Sequence, residues 1–126
     1  MSHRSQVHAV VVDVADADHD RELEFWRSAS GEALPRLDAP EYHGSRLGHQ
    51  HFAFLIQRLG EGDSRIHLDI YTDDVDAEAA RLEGLGAERV ENVNPWQVMR
   101  DPAGLLFCVV PAPPGSLTED NSREWE

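Results

Sequence analysis

Two histidines occupy matched places in this chain. His8 lies near the start of the run Val7-His8-Ala9-Val10-Val11-Val12, and His67 near the start of Ile66-His67-Leu68-Asp69-Ile70-Tyr71. Imidazole ligates metals and exchanges protons near neutral pH. A pair brought into one hollow would suit a divalent cation or a polar ligand; packed, hydrogen-bonded strand histidines are the ordinary alternative. Asp69 lies two residues beyond His67, on the same face of a strand. It can orient an imidazole, act as a carboxylate ligand, or stand solvated at an edge. Cys108 offers a soft ligand or a small buried filler. Tyr71, also on the His67 face, can donate a hydrogen bond to a ligand or simply pack. Trp96 opens its strand as a stacking platform or as a cap over the core. His49 and His51 bracket Gln50 at a turn, where His51 either reaches inward or stays on a surface hairpin. His3 and His43 read as exposed.

The elements that must position these groups repeat. A spacing of about fifty to sixty residues in so short a chain means two copies of one supersecondary unit. In the first copy a strand over 6–13 precedes a helix from about Asp18 to Ser30, with Asp16 or Asp18 as N-cap and Gly31 as terminator. A short segment at 33–37, a strand over 42–47, a turn at 48–50 and a strand over 51–58 follow. Gly60-Glu61-Gly62-Asp63 marks the joint. In the second copy a strand over 65–71 leads through Asp73-Asp74 into a helix over 75–85, carrying Val75, Ala79 and Leu82 on one stripe. Strands follow near 87–91, 96–100 and 105–110, the last two joined by the turn Asp101-Pro102-Ala103-Gly104. This predicts an α+β domain over 1–112, built from two βαβββ modules at about 6–59 and 64–111. The acidic, proline-containing tail over 113–126 reads as mobile. Alternation places Ile66, Leu68 and Ile70, with Leu105, Phe107 and Val109, under a helix. It places His8, Gln57, His67 and Cys108 on the opposite face of a curved sheet.

The 126 residues suit one compact domain. Eleven basic residues, all arginine, stand against 24 Asp and Glu, for a formal charge of −13. That field repels nucleic acid and anionic membranes and favours a cationic ligand. No apolar stretch approaches the roughly 20 residues of a membrane span. The start of the chain, Met1 to Gln6, carries no apolar signal region, and one cysteine fits a reducing compartment. The expectation is a soluble cytoplasmic protein. Glycine-rich phosphate loops, nucleophile elbows and paired-cysteine zinc patterns are absent.

One ordered set of motifs is specific in combination: Arg65-Ile66-His67-Leu68-Asp69-Ile70, Thr72-Asp73-Asp74-Val75-Asp76-Ala77, Leu85-Gly86-Ala87, Trp96-Gln97-Val98-Met99-Arg100-Asp101-Pro102-Ala103-Gly104 and Phe107-Cys108. Phe25-Trp26 and the run from Phe54 to Leu59 fit the same pattern more loosely. With these, residues 6 to 111 resemble the glyoxalase-like (glyoxalase, bleomycin-resistance, dioxygenase) domains of the vicinal oxygen chelate superfamily. The resemblance implies paired βαβββ modules around a cup, a homodimer, and in many members a divalent metal chelating two adjacent substrate oxygens. It puts His8 and His67 where metal-binding members place the first ligand of each module. It puts Gln57 and Cys108 where the closing strands normally supply carboxylates. Such a set suits Zn²⁺, Fe²⁺, Ni²⁺ or Mn²⁺, but it lacks the charge that steadies a hard cation and the general base of an enediol mechanism. The chain thereby departs from glyoxalase I. Two functions follow as expectations. One is a metal-dependent lyase, isomerase or dioxygenase acting on a small molecule. The other is a metal-free protein of the bleomycin-resistance type that sequesters a cationic or aromatic compound.

Overall fold

The computed structural model describes residues 2–46 and 52–126; His49 and His51, and the turn expected at 48–50, lie outside them. The elements run β1 (His3–Val14), a 3-10 turn (Asp16–Asp18), α1 (His19–Ser30), β2 (Tyr42–Arg46), β3 (Ala53–Arg58), β4 (Arg65–Thr72), α2 (Val75–Gly84), β5 (Glu88–Val93), β6 (Trp96–Arg100), β7 (Leu106–Pro111) and β8 (Arg123–Trp125). The α+β class is as expected, with three strands (β5, β6 and β7) after α2 but only two (β2 and β3), among the described residues, after α1. Hydrogen-bonded strand order is β2-β3-β1 in one part of the chain and β4-β7-β6-β5 in the other, with β8 joined to the first residues of β1. Two compact units divide the chain: Ala9–His67, and Met1–His8 with Leu68–Glu126.

In the unit Ala9–His67, β1 runs parallel to β3, with Ala9 opposite Ala53 and Asp13 opposite Gln57, and β2 runs antiparallel to β3. A strand apolar on both sides needs cover on both, and β1 has it. Val12 and Val14 pack with Leu23 of α1, Leu34, Phe54 and Ile56; Ala9 and Val11 pack with Ala53, Tyr42 and Leu55. Trp26 meets Phe54 edge-on at 5.6 Å between centroids. Asp18 occupies the N-cap position of α1 without capping it, because its carboxylate binds the Arg21 guanidinium at 2.5 Å instead. Gly31 closes the helix at φ 75°, its N–H bonding to the Arg27 carbonyl. The segment 33–37 forms one bridge, Arg36 to His43, rather than a strand. Pro35 has no N–H to extend a ladder, and Leu34 sits at φ 46°. A left-handed leucine costs on the order of 1 kcal/mol. Complete burial of its side chain, worth roughly 2 kcal/mol, offsets this. Arg27 clamps the same turn, donating to the carbonyls of Ala33 and Leu34. Gly44 lets β2 close on β3: a Cβ there would stand 2.5 Å from the Phe54 carbonyl oxygen.

In the other unit, β4 runs parallel to β7 with Asp69 opposite Cys108 and Tyr71 opposite Val110. β7 pairs antiparallel with β6, and β6 with β5. Asp74 caps α2 as its sequence predicts, accepting the Ala77 N–H at 3.0 Å. Ala79 buries against Met99 and Val109, with Val75, Leu82, Ala87 and Phe107 around them. The alternating pattern placed Ile66, Leu68 and Leu105 under a helix, yet they are 66%, 44% and 68% exposed. A helix of ten residues is about 15 Å long, and α2 lies over β5, β6 and β7.

The tail is also built into this unit. β8 pairs antiparallel with the first residues of β1, His3 opposite Trp125, so that β1 begins at His3 rather than at residue 6. Trp125 donates its indole N–H to Ser5 Oγ at 3.0 Å, and the Arg81 guanidinium lies 3.9 Å above its ring. His3 is buried, its Nε2 2.8 Å from a Glu78 carboxylate that has no exposure at all. Arg81 closes on the same carboxylate with two bonds of 2.8 Å.

Candidate functional site

The chemistry-bearing side chains gather along β4 and the strands that flank it. On β4, side chains two apart share a face, which puts His67, Asp69 and Tyr71 together. The β4–β7 register sets Asp69 directly opposite Cys108. One donor atom each from His67, Asp69 and Cys108 lies within 4.8 Å of the others. Asp69 is buried, while Cys108 and His67 are partly accessible. A nitrogen, an oxygen and a sulfur donor so disposed fit a divalent transition metal. With bond lengths of about 2.0–2.3 Å, ligands on a tetrahedral ion stand roughly 3.5 Å apart, within rotamer adjustment of what is seen. Three protein donors are the number that leaves a coordination position for water or substrate. Thiolate and imidazole favour zinc, cobalt or nickel over magnesium, calcium or manganese.

Behind this group stands a residue that the sequence did not single out. Asp13 of β1, 1% exposed, places Oδ2 2.6 Å from His67 Nδ1. Arg65 Nε lies 3.6 Å from the same oxygen. The only signal in the sequence was a carboxylate interrupting Val10, Val11, Val12 and Val14. Of the residues read as metal-binding, Gln57 lies on β3 opposite Asp13 in register. His8 is buried with its ring stacked on Tyr71, centroids 3.6 Å apart and planes 9° from parallel. Trp96 opens β6 and is partly buried.

A second polar cluster involves the histidine thought exposed on β2. His43 lies with its ring centroid 5.3 Å from that of His19, the fully buried first residue of α1. Arg58 reaches His19 Nδ1 at 3.1 Å and Asp16 at 2.8 Å. Burial, followed by repulsion from His19, Arg27, Arg36 and Arg58, holds the His43 pKa below its ordinary value. A depressed histidine resists protonation in the folded state while the unfolded chain takes up a proton near pH 6.5. Stability contributed by the neutral ring is therefore present above that pH and declines as pH falls below it. His43→Gln is expected to flatten the fall in urea midpoint between about pH 7.5 and 5. Wild-type steepness in the variant would remove His43 from this account.

Comparison with known proteins agrees with this architecture. A family model described as a glyoxalase-like domain matches residues 9–110. No curated protein matches the chain. Among solved structures, an NAD-dependent benzaldehyde dehydrogenase from Legionella pneumophila is similar at a TM-score of 0.65 and 11% identity, covering 83% of this chain and 98% of that one. Methylmalonyl-CoA epimerase from Mycobacterium tuberculosis is similar at 0.54 and 17% identity, covering 86% and 88%. A 2,2',3-trihydroxybiphenyl 1,2-dioxygenase from Sphingomonas wittichii is similar at 0.55 and 12% identity, covering 86% of this chain and 41% of that one. At these identities the likeness is one of fold, and among the described residues no helix is long and apolar enough to cross a membrane. With a family model spanning residues 9–110, the chain belongs to the glyoxalase-like domain family of the vicinal oxygen chelate superfamily.

Proposed function

We propose that this protein is a divalent-metal-dependent enzyme acting on a small oxygen-bearing molecule, with His67, Asp69 and Cys108 holding the ion. The convergence of those three donors on β4 and β7 carries the reading. Similar structures include a methylmalonyl-CoA epimerase and a 2,2',3-trihydroxybiphenyl 1,2-dioxygenase, both named for oxygen-bearing substrates, which supports a ligand of that kind. When bound, the ion would act as a Lewis acid on substrate oxygen. Asp69 and Cys108 would offset its charge, and Asp13 keeps the His67 ring in place. Tyr71, stacked on His8, is set to contact ligand from the Asp69 face; Gln57 and Trp96 are further candidates for contact. The excess of acidic residues favours a neutral or cationic substrate. A free thiol in the site suits a reducing compartment such as the cytoplasm.

The test is titration of untagged, chelator-treated protein with Zn²⁺ and Co²⁺ by calorimetry, alongside His67→Ala. One ion per chain in the wild type, lost in the variant, is the expected result. A wild type that takes up neither ion would overturn this reading and favour the metal-free sequestering protein, for which thermal stabilisation by basic aromatic compounds is the measurement.

A further inference from the structure

We propose that Asp13 is the positioning residue of His67, fixing which ring nitrogen meets the ligand; this deepens the reading of β4 and β7 as the site. An ionised carboxylate only accepts hydrogen bonds. At 2.6 Å from Nδ1, Asp13 Oδ2 therefore selects the imidazole tautomer that carries its proton on Nδ1. The lone pair is then on Nε2, and Nε2 is the atom offered to a metal or to a substrate proton. A carboxylate hydrogen-bonded to the far nitrogen of a ligating histidine also fixes ring orientation and raises ligand basicity.

The placement of Asp13 is hard to explain by stability. It sits in β1 among Val10, Val11, Val12 and Val14, 1% exposed. Its Oδ1 is buried and has no hydrogen-bond partner among the described residues. Its cationic neighbour Arg65 is half exposed and 3.6 Å away. Burying a carboxylate so incompletely satisfied is unfavourable, and a valine would serve the strand better. What Asp13 contributes is direction, and the group it directs is His67. The sequence offered Asp69 for that task; the geometry assigns the 2.6 Å contact to Asp13, while Asp69 stands opposite Cys108.

The experiment compares wild type, Asp13→Ala and Asp13→Asn by two readouts. The first is the His67 tautomer, from ¹⁵N-histidine NMR of metal-free protein. The second is Zn²⁺ affinity by competition with a chromophoric chelator. Wild type is expected in the Nδ1–H form. Asp13→Ala is expected to give mixed tautomers and an affinity about 10–100-fold weaker. Asp13→Asn, whose amide oxygen still accepts, is expected to fall between them, and it carries the test if the alanine variant does not fold. An Nε2–H wild type, or variants that keep wild-type tautomer or wild-type affinity, would overturn the proposal. A wild type without Zn²⁺ affinity sinks the metal reading alone; the tautomer comparison then decides the role of Asp13 by itself.

Discussion

Arg81→Met is expected to lower the unfolding free energy by about 3–5 kcal/mol at neutral pH, the range for removing one partner of a buried ion pair. Glu78 has no exposure, and it is held by two Arg81 bonds of 2.8 Å and by His3 at 2.8 Å. Burial pushes its pKa up, but the bonds from Arg81 and His3 outweigh burial and hold it below the ordinary carboxylate value. A depressed carboxylate contributes stability that is present above the unfolded value and lost as pH falls through the folded one. Methionine keeps the bulk of the arginine stem over Trp125 but leaves the carboxylate short of its main donor. Burial then dominates, the folded pKa rises, and the sign reverses: the deficit of the variant shrinks as pH drops from about 7 to 4. The double change Glu78→Leu with Arg81→Met removes both charges and should recover most of the loss. Urea unfolding at both pH values checks all three points. A single variant within about 1 kcal/mol of wild type, at every pH, would show that the pair is energetically idle.

How much of this was legible in the sequence depended on range. The helix α2 announced itself through Asp74 and the Val75, Ala79, Leu82 stripe, and its cap formed as expected. Local patterns of that kind carry their own cause. Alternation likewise gave the right faces of β4 and β7, as the Asp69–Cys108 and Leu68–Phe107 registers confirm. It did not give what covers a face, so Leu68 and Leu105 are exposed where a helix was expected. Contacts between distant segments were invisible. Nothing near residue 125 signals that its indole meets Ser5, 120 positions earlier. Nothing around His3 signals a buried glutamate 75 positions later. Asp13 was missed for a similar reason. Its role exists only through His67, 54 residues away, and within its own run it reads as an interruption of valines.

Cys108→Ser is expected to weaken zinc binding by more than roughly 100-fold, beyond the 10–100-fold that loss of an outer hydrogen bond costs. Among His67, Asp69 and Cys108 the thiolate is the softest donor, and it adds a second negative charge beside Asp69. Serine keeps the size but remains a protonated, hard oxygen, so both the charge and the preference for zinc go. With Co²⁺ as a spectroscopic substitute, the wild type should show an intense near-ultraviolet thiolate-to-metal band that the serine variant lacks. Cys108→Asp separates charge from softness. It restores the anion on the strand position opposite Asp69, and binding should return with preference shifted from zinc toward manganese. If serine binds zinc as tightly as cysteine does, the sulfur lies outside the coordination sphere. The pairing of Asp69 with Cys108 would then be a feature of strand register alone, and His67 with Asp69 would have to find their third donor elsewhere. If aspartate restores binding with the predicted change of preference, the closing-strand cysteine sets which metal this member of the family takes, and with it the kind of oxygen chemistry the site can run.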